Sequence, residues 1–336
     1  MCFHTFYRHA FRFIPATASS RFALHRAALL KCIFLPLLAC LAVVSCSNPT
    51  ATTGENPADA GRKSGDKVIY TDGIGRQVAV ARRPQRIISL APNITQIIHL
   101  LGADDRLIGV TIFCNWPESA KNKPKIGDLL NPNYEVILAA QPDLIIASAA
   151  GNDQAAVMKL SELGLPVYVA APRSVEKIFE SVEDLGRITD RAEEGRKLAA
   201  DMRERLERVR TRIDGLPPVR AFFITWFNPL LTPGKNTFEN EVLRLANVVS
   251  ISSEIPQFYP RYSLEQLLMQ DPDVILTIHH EADPLPDFKR TPGWRDLRAV
   301  RENRVYSLLE HLQHPSPLFV DGVEHLAQQL YPERFP

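Results

Sequence analysis

The 336-residue sequence predicts an α/β protein of two similar lobes with mostly parallel central sheets, joined by one long α-helix. Three observations carry this. Short apolar strand-like runs alternate with amphipathic segments, the pattern of a parallel sheet covered by helices. Residues 134–146 (YEVILAAQPDLII) align without gaps to residues 264–276 (LEQLLMQDPDVIL), placing Glu135 on Glu265, Leu138 on Leu268, Pro142-Asp143 on Pro272-Asp273 and Ile145 on Ile275. Between these units lies a strongly charged helical stretch, residues 189–218.

In that stretch Asp190 and Glu193 form a capping-box-like start, and Gly215 with Pro217-Pro218 forms a stop. Ala192, Gly195, Ala199, Met202, Leu206, Val209 and Ile213 recur at threes and fours, so one small-to-apolar stripe runs along a helix otherwise covered by charge. About 24 residues make a rod of roughly 36 Å, enough to cross a domain.

The N-terminus reads as a targeting segment. Arg21, Arg26 and Lys31 precede an apolar run over residues 32–44, too short for a membrane span. Val43-Val44-Ser45-Cys46 resembles a bacterial lipoprotein box, which implies lipidation of Cys46 as the mature N-terminus. Cys114 would then be the one cysteine left in the mature chain, and the fold would stand without an internal disulfide. The expected organisation is a signal peptide over residues 1–45, a flexible tether over 46–66, a first lobe over 67–188, the interlobe helix over 189–215 and a second lobe over 216–336.

Residues 68–80 read as a hairpin around Gly73-Ile74-Gly75. A strand rather than a helix follows those glycines, so they are no dinucleotide loop. Strands are expected over 86–90, 107–112, 144–147 and 167–170, with helices over 94–101, 134–140, 154–163 and 175–188. The second lobe repeats the grammar, with strands over 220–224, 274–278 and 304–307 and helices over 238–246, 264–269 and 319–330.

Ligands of open α/β sheets bind beyond the carboxyl ends of the strands. The loops expected there carry Asn93, Phe113, Trp116, Ser148, Trp226, Phe227, Leu231 and His280, with Tyr259 just before the second repeat unit. Aromatic faces with few charges suit a large, flat, partly apolar ligand. No nucleophile elbow, His-Glu-x-x-His or Cys-x-x-Cys is present, so no catalytic residue is assigned. His279, His280, His311 and His314 lack acidic or cysteine partners at a ligand spacing, so no metal site is assigned. A formal net charge of +1 gives no electrostatic case for nucleic acid.

The order of hairpin, Arg-Ile-Ile-Ser-Leu-Ala-Pro-Asn (86–93), Phe-Cys-Asn-Trp-Pro (113–117), Lys-Ile-Gly-Asp-Leu-Leu-Asn-Pro-Asn-Tyr-Glu (125–135), Gln-Pro-Asp-Leu-Ile-Ile-Ala (141–147), long helix and repeat resembles the single-helix-linked periplasmic binding proteins. These are the ABC-importer receptors for vitamin B12, ferric siderophores and haem. The resemblance covers about residues 68–332, and residues 113–117 and 228–235 (NPLLTPGK) lean towards the vitamin B12-binding branch. It implies a non-enzymatic receptor that captures a corrinoid in the interlobe cleft and hands it to an ABC permease dimer with its ATPase subunits. It would be held at the membrane by lipid on Cys46, on the periplasmic or cell-surface face. A ferric siderophore or haem receptor is the second reading, and a zinc or manganese receptor the third.

By the same resemblance Glu135 and Glu265 would dock onto permease arginines, and their equivalent places in the repeat suit a two-fold partner. The sequence departs from the family pattern at Gln96, where a glutamate is usual. It departs again at Leu129, Ser148 and Leu231, which stand in the places of aromatic clamps and are carried as ligand-site positions.

Overall fold

A computed structural model describes residues 66–278 and 285–336. The leader, Cys46, nearly all of the tether and the loop holding His279 and His280 lie outside the described residues.

Strands β1 (Lys67–Thr71) and β2 (Gln77–Ala81) pair antiparallel as the expected hairpin. Asp72 shapes its turn, its Oδ1 accepting from Ile74 N at 3.2 Å and Arg76 N at 2.8 Å. The Arg76 guanidinium bridges Asp72 Oδ2 to the carbonyl of Val167, fastening the hairpin to the first lobe.

The first sheet holds β3 (Ile87–Ser89), β4 (Leu107–Val110), β5 (Leu144–Ser148) and β6 (Val167–Ala170), all parallel, in the order β4-β3-β5-β6. The second holds β7 (Val219–Ile224), β8 (Val248–Ser250), β9 (Val274–Thr277) and β10 (Val305–Ser307), also parallel, in the order β8-β7-β9-β10. Both sheets therefore follow a 2-1-3-4 order. The repeat reaches single hydrogen bonds. Asp143 accepts from the backbone N–H of Arg86 at 2.8 Å, and Asp273 from that of Arg220 at 3.0 Å. The two guanidiniums cap the ends of equivalent helices, Arg86 on the Ala140 carbonyl and Arg220 on the Gln270 carbonyl. Gln141 and Asp271 both take positive φ (45° and 37°) at the step before the proline. There a left-handed residue ends the helix and proline turns the chain into the strand.

The helices are α1 (Pro92–Leu100), the short α2 (Glu118–Lys121), α3 (Tyr134–Ala139), α4 (Gln154–Glu162), α5 (Val175–Ile188), α6 (Ala192–Ile213), α7 (Phe238–Leu245), α8 (Leu264–Gln270), the short α9 (Arg298–Arg301) and α10 (Phe319–Leu330). Strand alternation divides the core. Ile88 and Ile145 face a cluster with Ile137 of α3 and Leu160 of α4, whereas Phe222 and Ile275 face one with Leu267 of α8 and Trp294. The opposite faces, Ile87 and Leu144 in one lobe and Ala221, Phe223 and Leu276 in the other, enter a single shared core. Helices α1, α5, α6 and α10 complete it through Ile94, Val182, Met202 and Phe319. One continuous apolar body thus spans both lobes.

Helix α6 is 22 residues long, about 33 Å, and buries Gly195, Ala199, Met202, Val209 and Ile213 of the expected stripe. Against α5 it packs backbone to backbone: a Cβ on Gly186 would lie 3.0 Å from the Gly195 Cα and 2.8 Å from the Arg191 carbonyl. Towards the second lobe, Arg205 donates to Asp321 at 2.6 Å and to Glu324 at 2.5 Å, both on α10. The expected capping box is absent. Arg191 is the N-cap, and Asp190 sits at φ 56° with its carboxylate on Arg83 at 3.0 Å. The close approach of α5 and α6 forces a left-handed turn there, which carries Asp190 away from the helix amides. Three short elements, α2, α9 and β8, were not expected from periodicity, and β4 ends at Val110 rather than at residue 112.

Candidate functional site

A helix that leads into a parallel strand runs back antiparallel to it, so its first turn lies at the carboxyl end of the sheet. Glu135 occupies the first turn of α3 and Glu265 the first turn of α8, both exposed. Asn133 caps α3, its side chain accepting from Val136 N at 3.1 Å, and Ser263 with Gln266 forms a full capping box on α8. The Glu265 backbone N–H, and then the Ser263 hydroxyl, hold the Glu265 carboxyl below its usual range. The two glutamates therefore stand exposed at corresponding rims of the two lobes.

Between the rims the strand-end loops meet. Asn93, at the start of α1, donates through Nδ2 to Ser148 Oγ at 3.1 Å and to the Pro315 carbonyl at 3.1 Å. Pro315 follows β10, so this bond ties the carboxyl ends of the two sheets together. Asn152 knits the first lobe's side of the junction. Its Oδ1 accepts from Ser148 N at 2.8 Å, and its Nδ2 donates to the carbonyls of Leu90 (2.7 Å) and Leu129 (3.1 Å).

On the second lobe, Leu231 N donates to the Trp226 carbonyl at 2.8 Å, and Leu231 forms a backbone bridge to Arg261. The Trp226 indole N–H donates to the Asn228 carbonyl at 2.9 Å, folding the ring over its own loop. Tyr259 donates its hydroxyl to Glu239 Oε1 at 2.7 Å. Glu239 is buried on α7, and that burial pushes its carboxyl above the usual range. The Tyr259 hydroxyl, the Glu239 backbone N–H and His314 pull the other way. Beside this pair a cavity of about 340 Å³ is lined by Ile255, Gln257, Tyr259, Pro260, Arg261, Tyr262 and Gln266. A larger groove of about 510 Å³ lies along α6, between Phe179 of α5 and Arg244 of α7, away from the strand ends.

The sequence-derived positions thus separate into groups. Asn93 and Ser148 come together, as do Trp226 and Leu231, with Tyr259 lining the neighbouring cavity. Phe113 is 37 % exposed on its loop, available to a ligand. Trp116 instead packs edge-on against His99, ring centroids 5.2 Å apart, and Phe227 against Trp294 at 5.7 Å. Leu129 is 5 % exposed and Ser148 1 %, so each offers a ligand little surface. His280 and Cys46 lie outside the described residues. Periodicity alone passed over Glu239, yet a signal exists. It falls on the stripe of Val242, Leu243 and Ala246, an acidic residue on an apolar face. Asn152 and Pro315 carry no comparable mark. Among the described residues no group of three or more His, Cys, Asp or Glu gathers at a metal-binding distance, and no helix is long and apolar enough to cross a membrane.

Comparison with known proteins agrees with this architecture. The periplasmic binding protein family model matches residues 87–312. A vitamin B12-binding protein of Vibrio cholerae serotype O1 is 33% identical over 250 residues, covering 73% of this chain and 89% of the relative. The crystal structure of the periplasmic vitamin B12 binding protein BtuF of Vibrio cholerae superposes with a TM-score of 0.65 at 31% identity, over 75% of this chain and 99% of that one. An uncharacterized ABC transporter substrate-binding lipoprotein, YvrC of Bacillus subtilis, is 27% identical over 311 residues, 89% of this chain and 96% of its own length. A haem-binding protein, BhuT, shares the fold with a TM-score of 0.67 at 23% identity. Two parallel lobes with the same strand order, a shared core along one long helix and a family match over most of the chain lead to one conclusion: this chain belongs to the periplasmic binding protein family, the substrate-binding components of ABC importers.

Proposed function

We propose that this chain captures a corrinoid, vitamin B12 itself, between its lobes and delivers it to an ABC permease dimer with its ATPase subunits. The observation that carries the reading is 33% identity to the Vibrio cholerae vitamin B12-binding protein over nearly all of that protein's length. The strand-end loops supply suitable chemistry. Phe113 and Trp226 offer aromatic faces to a flat, partly apolar ring. In this reading Glu135 and Glu265 meet arginines of the permease, and lipid on Cys46 holds the protein at the membrane. The shared core between the lobes favours a small closure on binding rather than a wide hinge swing.

Isothermal titration of the purified mature protein with cyanocobalamin tests the reading, with haem and a ferric hydroxamate siderophore titrated in parallel. Saturable binding of cyanocobalamin with neither competitor supports it. Tight binding of haem or the siderophore without cyanocobalamin would assign the chain to the other branches of the family.

A further inference from the structure

Three side chains lining the cavity beside Tyr259, those of Arg261, Tyr262 and Gln266, hold hydrogen-bond donors with no partner among the described residues. Arg261 is carried on a stretch whose backbone pairs with Leu231 and whose Tyr262 N–H donates to the Leu230 carbonyl at 3.0 Å. The backbone that carries the guanidinium is thereby tied to the loop at the carboxyl end of β7. Among the described residues its side chain has neither a carboxylate partner nor a hydrogen bond, whereas Arg203, Arg205 and Arg210 on α6 are all ion-paired. Tyr262 packs its ring on Phe222 at 5.0 Å, and its hydroxyl has no partner among the described residues. Burial raises its pKa, so the hydroxyl remains a neutral donor. Gln266 spends its side-chain oxygen on Ser263 N at 3.0 Å, which leaves its NH₂ group to donate. Two carboxyl groups lie near: buried Glu239, bonded to Tyr259 with its pKa raised by burial, and Glu265, next on α8. Glu265 is the exposed one of the two, and it is engaged by its own N–H and by Ser263.

We propose that this cavity is an anion subsite anchored by Arg261, and that in a bound corrinoid it takes the phosphodiester of the nucleotide loop. A guanidinium, a phenol and a carboxamide NH₂ all donate, and a phosphate oxygen accepts from each. The phosphodiester is the one anionic group on the periphery of cobalamin, the remaining substituents being neutral amides. The anion subsite rests on the cavity alone; its assignment to the phosphodiester rests on the corrinoid reading above.

The test compares wild type with Arg261→Gln by isothermal titration against two ligands, cyanocobalamin and dicyanocobinamide, which keeps the ring and lacks the nucleotide loop with its phosphate. The expected result is a loss of about ten- to a hundredfold for cyanocobalamin, the worth of a charge-assisted hydrogen bond, and a change under about twofold for cobinamide. Equal losses on both ligands, or no loss on cyanocobalamin, would overturn the proposal. A second arm follows the ³¹P line width of inorganic phosphate with each protein. Broadening by wild type that disappears in Arg261→Gln supports the anion subsite even if wild type binds neither corrinoid, an outcome that removes the corrinoid reading alone. If neither corrinoid binds wild type, phosphate broadening that is absent, or unchanged in the variant, refutes the subsite as well.

Discussion

Replacing Asn152 should loosen the rim of the first lobe more than its size suggests. This side chain is 4 % exposed and serves three backbone groups at once: Ser148 N–H, Leu90 C=O and Leu129 C=O. Asn152→Ala removes all three bonds, and among the described residues Leu129 C=O alone of the three groups keeps a donor, the Asp153 N–H at 3.4 Å. At about 1 to 1.5 kcal/mol for each lost bond the sum is about 3 to 4.5 kcal/mol, reduced to about 2 to 4 if water enters the vacated space. That is a large part of the ~5–15 kcal/mol that holds a domain folded. Asn152→Asp should be worse at neutral pH. It keeps an acceptor for Ser148 N–H but sets a carboxylate against two carbonyl oxygens. Its folded-state pKa would be raised, so the stability of that variant should be highest below the ordinary carboxyl range and fall as pH rises through the folded value. Urea unfolding followed by tryptophan fluorescence measures both effects. With a slope of about 3 kcal/mol per molar, Asn152→Ala should lower the midpoint by about 1 M. A shift under about 0.3 M, or an aspartate variant as stable as the alanine one at neutral pH, would refute the reasoning.

Further predictions concern charge and the anchor. Ionised Glu239 is penalised by burial, so its contribution is complete below the unfolded carboxyl pKa and is lost as pH rises through its raised folded value. Glu239→Gln, still able to accept from Tyr259, should flatten that fall in a plot of melting temperature against pH, and an unchanged profile would count against it. Glu135→Arg combined with Glu265→Arg should leave ligand affinity within about twofold and abolish uptake in cells whose only copy carries both changes, because like charges then meet at the rim. Normal uptake would remove the docking assignment. Cys46→Ser should eliminate incorporation of labelled palmitate, and labelling that persists would point to a different anchor.

The elements with a clean period were legible in the sequence. Helices 175–188 and 319–330 and strand 167–170 have the bounds their apolar spacing implies. Where the periodic signal was short, it failed. Strand β8 is three residues at a sheet edge with Val249 exposed, and α2 and α9 are single turns, so none repeats long enough to show a period. The strand-end loops were found, but not which aromatics face outward. Trp116 and Phe227 look alike in sequence to Phe113, and only their packing on His99 and Trp294 sets them apart from its 37 % exposed ring.

Local sequence therefore determined the two-fold repeat, the connecting helix with its buried stripe and the family. Each depends on spacing along one chain segment, which hydrophobic burial reads directly. Tertiary structure alone decided the identical strand order, the single core running through both lobes, the uncapped start of α6 and the bond from Tyr259 to Glu239. Those depend on partners tens to hundreds of residues away, such as Tyr259 with Glu239 and Arg205 with Glu324, whose approach is set by how finished elements pack and not by any pattern within one of them.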